Sequence, residues 1–120
     1  MPGTYYDPGV SDPRLPELLT LLEELSEGLG GVELTRAHGC DAVATRGRAY
    51  ALVAPDGRIG VRLPDWDLFT AAFELPGSEP LYENERRVGH WVLLPGAVRH
   101  EGGGLGEWVR RAHELTAVDL

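Results

Sequence analysis

Apolar residues, several of them β-branched or aromatic, fill most of residues 41–46, 49–54 and 59–63, and these short runs predict three β-strands. Two-residue turns separate these strands. Gly47-Arg48 lies between the first and second strands, and Asp56-Gly57 lies between the second and third. Turns that contain Gly, above all an Asp-Gly pair, are strong signals for β-hairpins. We therefore predict a three-stranded antiparallel meander.

The two turns also predict the register of this meander. Val43 is expected to lie opposite Leu52, and Leu52 opposite Val61, so that these side chains share one face with Tyr50. That face is predicted to be buried against the helices. The opposite face would then collect small residues and two arginines, namely Ala42, Ala44, Ala51, Val53, Gly60, Arg46 and Arg62.

Apolar residues at helical spacing predict three helices outside the meander. The first begins at Arg14 and ends at the glycines of residues 28–31. The second opens at Pro64-Asp65, and the third follows the glycine-rich residues 102–104. Residues 32–36 and 90–94 predict two more strands, whereas the polar residues 78–89 predict a loop. The tryptophans at core positions of three elements are expected to be packed inside: Trp66, Trp91 and Trp108.

These elements predict an α+β fold with two layers, in which three helices accompany a single, mainly antiparallel sheet of about five strands. The predicted order is α-β-β-β-β-α-β-α. A chain of 120 residues is long enough for one domain with a single modest core. Residues 1–13, which are rich in Pro and Gly, predict an irregular lead-in, and residues 14–120 predict the domain itself.

The charge distribution narrows the range of partners. The chain has a net charge of -8, yet residues 36–62 carry five Arg against two carboxylates, which makes the meander its basic segment. A long polyanion would be repelled by the acidic remainder, so nucleic acid is not the expected partner. No apolar run approaches the ~20 residues that span a bilayer. Without a signal-peptide pattern at the N-terminus, a cytoplasmic location is the default expectation.

Few residues suggest catalysis or metal binding. His38, Cys40 and Asp41 lie within four residues, but the paired Cys or His spacing of zinc sites is absent. We therefore predict no metal, no cofactor and no catalytic residue. A hydrolase or thiol enzyme that uses Cys40 with a distant His is the remote alternative.

The small-residue face is the predicted binding surface, because Ala and Gly allow another group to approach closely. A helix of the same chain, a second copy of the sheet or a small anionic ligand would each fit there, and the arginines suit carboxylates. Packing or self-association is the expectation for such a face. The candidate binding residues are Arg46, Arg62, Ala51, Gly60, Arg87 and Trp91.

The order of several short motifs resembles the TfoX N-terminal domain-like family over roughly residues 32–117. The matching segments are the strand at residues 50–53, the Asp56-Gly57 turn with residues 61–64, the Pro-rich residues 75–82, residues 87–95, and the final helix with Trp108. Two family motifs are altered. Met-Phe-Gly-Gly appears as residues 36–39 (Arg-Ala-His-Gly), and Gly-Arg-Pro-Met appears within residues 85–89.

The resemblance implies a two-layer α/β fold with one antiparallel sheet, similar to secretion chaperones, and no established enzymatic activity. No C-terminal TfoX domain follows, so a role in competence regulation is not expected. We predict a non-enzymatic interaction or regulatory module that forms a homodimer, or binds a protein partner, through its sheet. The alternative is a protein that binds a small anionic ligand on the Ala/Gly/Arg face.

Overall fold

Three α-helices, six strands and a short 3-10 helix (Gly96–Arg99) lie within residues 13–99 and 104–119, the part of the chain that the computed structural model describes. The elements are α1 (Leu15–Leu25), β1 (Val32–Ala37), β2 (Cys40–Thr45), β3 (Arg48–Val53), β4 (Ile59–Arg62), α2 (Trp66–Glu74), β5 (Glu79–Glu83), β6 (Arg86–Leu93) and α3 (Leu105–Val118). The strands form one antiparallel sheet in the order β1-β2-β3-β4-β6-β5. The predicted α+β class is confirmed. Most of the predicted lead-in 1–13 and of residues 102–104 lies outside the described residues.

The helices begin where the sequence predicts, for local chemical reasons. α1 has a proline in its first turn, where the missing N–H costs no hydrogen bond, and it buries Leu18 and Leu22. α2 is capped by Asp65, whose carboxylate accepts a hydrogen bond from the Leu68 N–H at 3.0 Å. The predicted burial of Trp66 is wrong. This residue is 77% exposed, because the first turn of α2 directs it to solvent.

The predicted loop at residues 78–89 is wrong, because these residues form most of a β-hairpin. β5 and β6 are joined by Asn84 and Glu85, which both have positive φ (52° and 66°), as a type I′ hairpin turn requires. β5 is an edge strand, and Leu81 is its one buried residue. An edge strand with so little apolar content has no alternating pattern to reveal it.

The predicted register of the meander is also wrong. Val43 lies opposite Ala51, not Leu52, and Leu52 lies opposite Gly60, while Val61 lies opposite Ala51. The prediction that Leu52 and Val61 are buried is confirmed, since both are fully buried. They nevertheless point to opposite faces of the sheet.

The first hairpin turn and a bulge explain this difference. The turn residues are Arg46 and Gly47, both with positive φ (54° and 77°), whereas the sequence predicted Gly47 and Arg48. The pairing of β2 with β3 then shifts by one residue. Val43 is paired with Ala51, whereas Ala44 is paired with Ala49. Tyr50 is the extra residue of this bulge, and it packs on the same side of the sheet as Ala51.

The two faces of the sheet therefore carry different residues from those predicted. The helix face is the side on which α1, α2 and α3 pack. Its buried residues in or next to the strands are Val43, Tyr50, Ala51, Val53, Ile59, Val61, Leu63, Val92 and Leu94. The curled face is the other side, with Cys40, Ala42, Leu52, Ala54, Leu81, Trp91 and Leu93. The predicted small-residue face does not exist as one surface, because Ala51 and Val53 belong to the helix face whereas Ala42 belongs to the curled face.

The buried residues of the curled face all lie in or next to the strands, so the sheet itself buries this face. The sheet bends strongly, so that β1 contacts β3 as well as its neighbour β2. His38, in the turn after β1, reaches Glu83 on the opposite edge strand with Nδ1 2.8 Å from Oε1. The His38 ring also meets the Trp91 ring edge-on at 5.6 Å. The two edges of the sheet thus approach each other across this face.

Candidate functional site

The six predicted binding residues do not form one site. Arg62 and Trp91 lie directly opposite each other on β4 and β6, and they line the same cavity. Ala51 is fully buried under the helices, where no ligand reaches it. Gly60 is buried as well, since an added Cβ would lie 3.0 Å from a methyl group of Leu52.

The other two predicted residues lie elsewhere. Arg46 is exposed in the β2–β3 turn and borders a separate depression with Arg48 and Thr116. Arg87 lies on β6 with its guanidinium 5.1 Å from the centre of the Phe73 ring and 5.7 Å from that of Phe69. These distances are typical of cation–π contacts.

The cavity shared by Arg62 and Trp91 is the candidate site, and we call it the basic pocket. It has a volume of about 290 Å³ and opens on the curled face near the turns at the ends of β1 and β2. Its lining residues are Thr35, Arg36, Ala37, His38, Gly47, Arg48, Ala49, Arg62 and Trp91. Three arginines and one histidine are among these nine residues, and none of the nine is an Asp or Glu. The guanidinium of Arg36 bonds to Asp41, on the helix-face side of the sheet.

Arg62 is held in place by the last turn of α3. Its guanidinium donates to Thr116 Oγ1 at 3.3 Å and to Asp119 Oδ2, and only 13% of its side chain is exposed. Arg48 donates to the same Asp119 oxygen at 3.0 Å. The hydrogen bond from Arg62, with the nearby charges of Arg62 and Arg48, lowers the pKa of Asp119 below its usual value of 3.8. Two guanidinium groups thus converge on one carboxylate oxygen at the rim of the pocket.

Arg36 and His38 also border the basic pocket, near the turn after β1. Arg36 donates to Asp41 Oδ1 at 2.6 Å and to the Gly39 carbonyl at 2.7 Å, which fixes its guanidinium beside the turn. His38 is held between Glu83 and the Trp91 ring. Every basic side chain of the lining is thus paired with a carboxylate, which is Asp41, Glu83 or Asp119.

A second cavity lies between α2 and β6, with a volume of about 390 Å³ and a largely aromatic lining. It is bordered by Pro64, Trp66, Phe69, Arg87, Gly89 and His90. Phe69 contacts the Phe73 ring at 4.9 Å and the His90 ring at 6.2 Å. Trp66 stands over this aromatic groove, with its ring 6.3 Å from Phe69.

Cys40 has neither the exposure nor the partners of a nucleophile. It is buried, and burial raises the pKa of its thiol above the usual 9.0, so it is protonated at neutral pH. Its Sγ faces the His38 carbonyl at 3.7 Å, and the His38 ring is paired with Glu83. Within residues 13–99 and 104–119, no three His, Cys, Asp or Glu side chains come together to hold a metal ion.

The described part of the chain contains no helix long and apolar enough to cross a membrane. Comparisons with known proteins give no family for the chain, since no protein-family model and no protein of curated function matches it. Its class is therefore defined by the fold and the site: an α+β protein with a curled six-stranded antiparallel sheet and a basic pocket on that sheet.

Proposed function

We propose that this chain is a non-enzymatic interaction module of the TfoX N-terminal-like type that forms a homodimer through its β1 edge. The α+β architecture, with one antiparallel sheet, agrees with what that resemblance implies. The buried, protonated Cys40 argues against a thiol enzyme. The observation that carries the proposal is the exposed edge strand β1, with four of its six residues exposed.

The backbone of β1 has hydrogen-bonding groups that β2 does not use. His38 and Gly39 both have positive φ (53° and 79°), so they form a two-residue turn closed by the Ala37–Cys40 pair. In such a hairpin the closing residues bond to each other, and bonding alternates along the strand. Thr35 therefore also bonds to β2, whereas Leu34 directs its N–H and C=O away from the sheet.

Leu34 suits the centre of a symmetric contact. Its side chain is 57% exposed, which makes it one of the few large apolar residues on the surface of the described chain. A two-fold axis at this residue would pair β1 with β1 of a second copy in antiparallel fashion, with the two Leu34 side chains in contact. The same axis places Val32 opposite Arg36, and the sheet continues across both copies.

The opposite edge of the sheet is protected against such pairing. β5 contains Pro80, which has no N–H to donate, and its pairing with β6 is interrupted next to that residue. A symmetric pair of β5 strands would also bring Glu79 close to Glu83 of the other copy, and like charges repel. Self-association is therefore expected at β1.

Sedimentation analysis at increasing protein concentration tests this proposal. The unaltered chain is expected to shift from monomer to dimer, and Leu34→Arg is expected to remove the shift by placing two like charges at the two-fold axis. Tyr82→Arg is the matched control, because Tyr82 is 59% exposed on β5. This control should dimerise normally. A chain that stays monomeric at every concentration, or a dimer that Leu34→Arg leaves intact, would overturn the proposal.

A further inference from the structure

We propose that the aromatic groove between α2 and β6 binds a small planar aromatic carboxylate. This groove is the cavity of about 390 Å³ that is bordered by Pro64, Trp66, Phe69, Arg87, Gly89 and His90. In the order of the sheet, β2, β3 and β4 separate β6 from β1, so the site is independent of the edge that the proposed dimer uses. The inference rests on the charge of one arginine, the aromatic walls and the size of the groove.

Arg87 differs from the arginines that line the cavities of the curled face. Every basic side chain of the basic pocket is paired with a carboxylate, and Arg58, in a larger cavity of about 410 Å³, is paired with two. In the described part of the chain, the Arg87 guanidinium contacts the Phe69 and Phe73 rings and has no carboxylate partner. These ring contacts engage its positive charge but supply no oxygen acceptor, so its N–H groups remain available to a carboxylate.

The same ring contacts place the charge of Arg87 at the groove. Phe69 lines the groove, and its ring centre lies 5.7 Å from the guanidinium carbon of Arg87. None of the six bordering residues is an Asp or Glu, so an entering anion meets the guanidinium without a competing carboxylate in the lining. A guanidinium fork can bond both oxygens of a carboxylate, and a fork that is already positioned costs less to order. A chain with a net charge of -8 repels a multiply charged anion more strongly than a monocarboxylate.

The walls of the groove indicate that the carboxylate is attached to a ring. The Trp66 and Phe69 rings have centres 6.3 Å apart and planes inclined by 37°, and the His90 ring lies 6.2 Å from that of Phe69. Trp66 is 77% exposed although its side chain is large and apolar. A ligand ring against Trp66 would remove part of this surface from water, and contact between aromatic rings adds to that gain.

An irregularity in β6 leaves room for the ligand. Between its pairs with Pro80 and Tyr82, β6 has residues 88–91, whereas β5 has a single residue. Gly89 and His90 lie in this bulge, and His90 has a positive φ of 68°. A Cβ added at Gly89 would meet no heavy atom within 4 Å. The volume of about 390 Å³ lies within the range of ligand sites in proteins, roughly 300–1,000 Å³, and fits an acid with one or two rings.

Nuclear magnetic resonance titration of the full chain tests the inference. Benzoate and 2-naphthoate are the probes, while acetate supplies the carboxylate without the ring and benzyl alcohol the ring without the charge. The ionic strength is held constant by sodium chloride. We expect at least one aromatic acid to produce saturable shifts of the Arg87 Nε–H and the Trp66 indole N–H. The apparent Kd of acetate and of benzyl alcohol should be about tenfold higher or more, because each lacks one of the two interactions.

Two variants and a matched control identify the residues that bind. Arg87→Gln should raise the apparent Kd of the acid about tenfold or more, because the charged fork is lost. Trp66→Ala should raise the same Kd severalfold, because the stacking wall is lost. Both residues are exposed, so they can be replaced without loss of the fold. Arg86→Gln is the control and should leave the Kd unchanged, since Arg86 precedes Arg87 on β6 and its side chain points to the other face of the sheet.

The outcomes of the titrations separate the possible ligands. Saturation by benzoate alone would assign a one-ring acid, saturation by 2-naphthoate alone would assign a two-ring acid, and saturation by both would support a site that accepts either. The inference is overturned if neither acid saturates, or if acetate or benzyl alcohol binds as tightly as the acids. It is also overturned if Arg87→Gln or Trp66→Ala binds the acids as tightly as the unaltered chain does.

Discussion

The two faces of the sheet are buried in different ways. On the helix face, three helices cover the strands, and large aliphatic residues such as Leu22 and Val61 are completely buried. On the curled face, the sheet itself buries the residues, because its two edges approach each other through the contact between His38 and Glu83. Curvature buries the middle of this face, around Leu52, but leaves cavities near the ends of the strands. The basic pocket is one of these cavities.

The largest expected effect compares one leucine from each face. Leu22→Ala and Leu52→Ala each remove a fully buried side chain, so each should lower the free energy of unfolding by about 2–5 kcal/mol. Urea denaturation with an unchanged m-value is the measurement. If Leu52→Ala costs much less than Leu22→Ala, the curled face is a loosely packed surface and not a second core.

A smaller effect is expected from filling the centre of the curled face. In Gly60→Ala the new Cβ would lie 3.0 Å from Leu52 Cδ1 and 3.3 Å from Leu93 Cδ2, so we expect a loss of about 1–3 kcal/mol. In the Leu52→Ala background the same change should cost less, since the obstructing side chain is gone. Gly89→Ala on β6 is the control, because no heavy atom lies within 4 Å of its added Cβ. Strictly additive losses in the double variant would contradict this packing.

The smallest effect concerns Asp119, which links the end of α3 to the rim of the basic pocket. Its pKa is lowered in the folded protein, chiefly by the hydrogen bond from Arg62. Its contribution to stability is therefore complete above 3.8, the usual pKa, and is lost as the pH falls through the lowered value.

Asp119→Asn should accordingly lower the Tm slightly at pH 7, and the difference from the unaltered chain should vanish in strong acid. Glu24→Gln, a change on the exposed surface of α1, is the control and should show no such trend. A Tm difference for Asp119→Asn that persists at the lowest pH would show that the carboxylate charge is not what matters.

The candidate site was only partly predictable. The concentration of arginine in residues 36–62 left an anion site on the meander as an alternative, and no observation tests it. Of the six predicted binding residues, Arg62 and Trp91 line one cavity. Arg36, Arg48 and His38 were not predicted to belong to it. They lie in or beside hairpin turns, and the distance between two turns depends on how far the sheet bends.

Local chemistry determined the helices, the first four strands and the α+β class. The apolar spacing of α1, the Asp65 cap of α2 and the glycines in the turns act within a few residues, so they can be recognised in the chain itself. The register of the meander could not be recognised from the chain in this way. Both Arg46-Gly47 and Gly47-Arg48 fit a two-residue turn, and a one-residue shift exchanges the faces of every side chain.

The bulge at Tyr50, the hairpin of β5 and β6 and the closing of the curled face were decided only by tertiary structure. Tyr50 places its hydroxyl 2.6 Å from the Ser26 hydroxyl, beyond the end of α1, and packs edge-on against His113 of α3 at 5.1 Å. These partners lie 24 and 63 positions away in the chain. β5 similarly depends on β6 for its hydrogen bonds. Contacts between distant residues leave no periodic pattern, because the residues that satisfy them meet only when the sheet is complete.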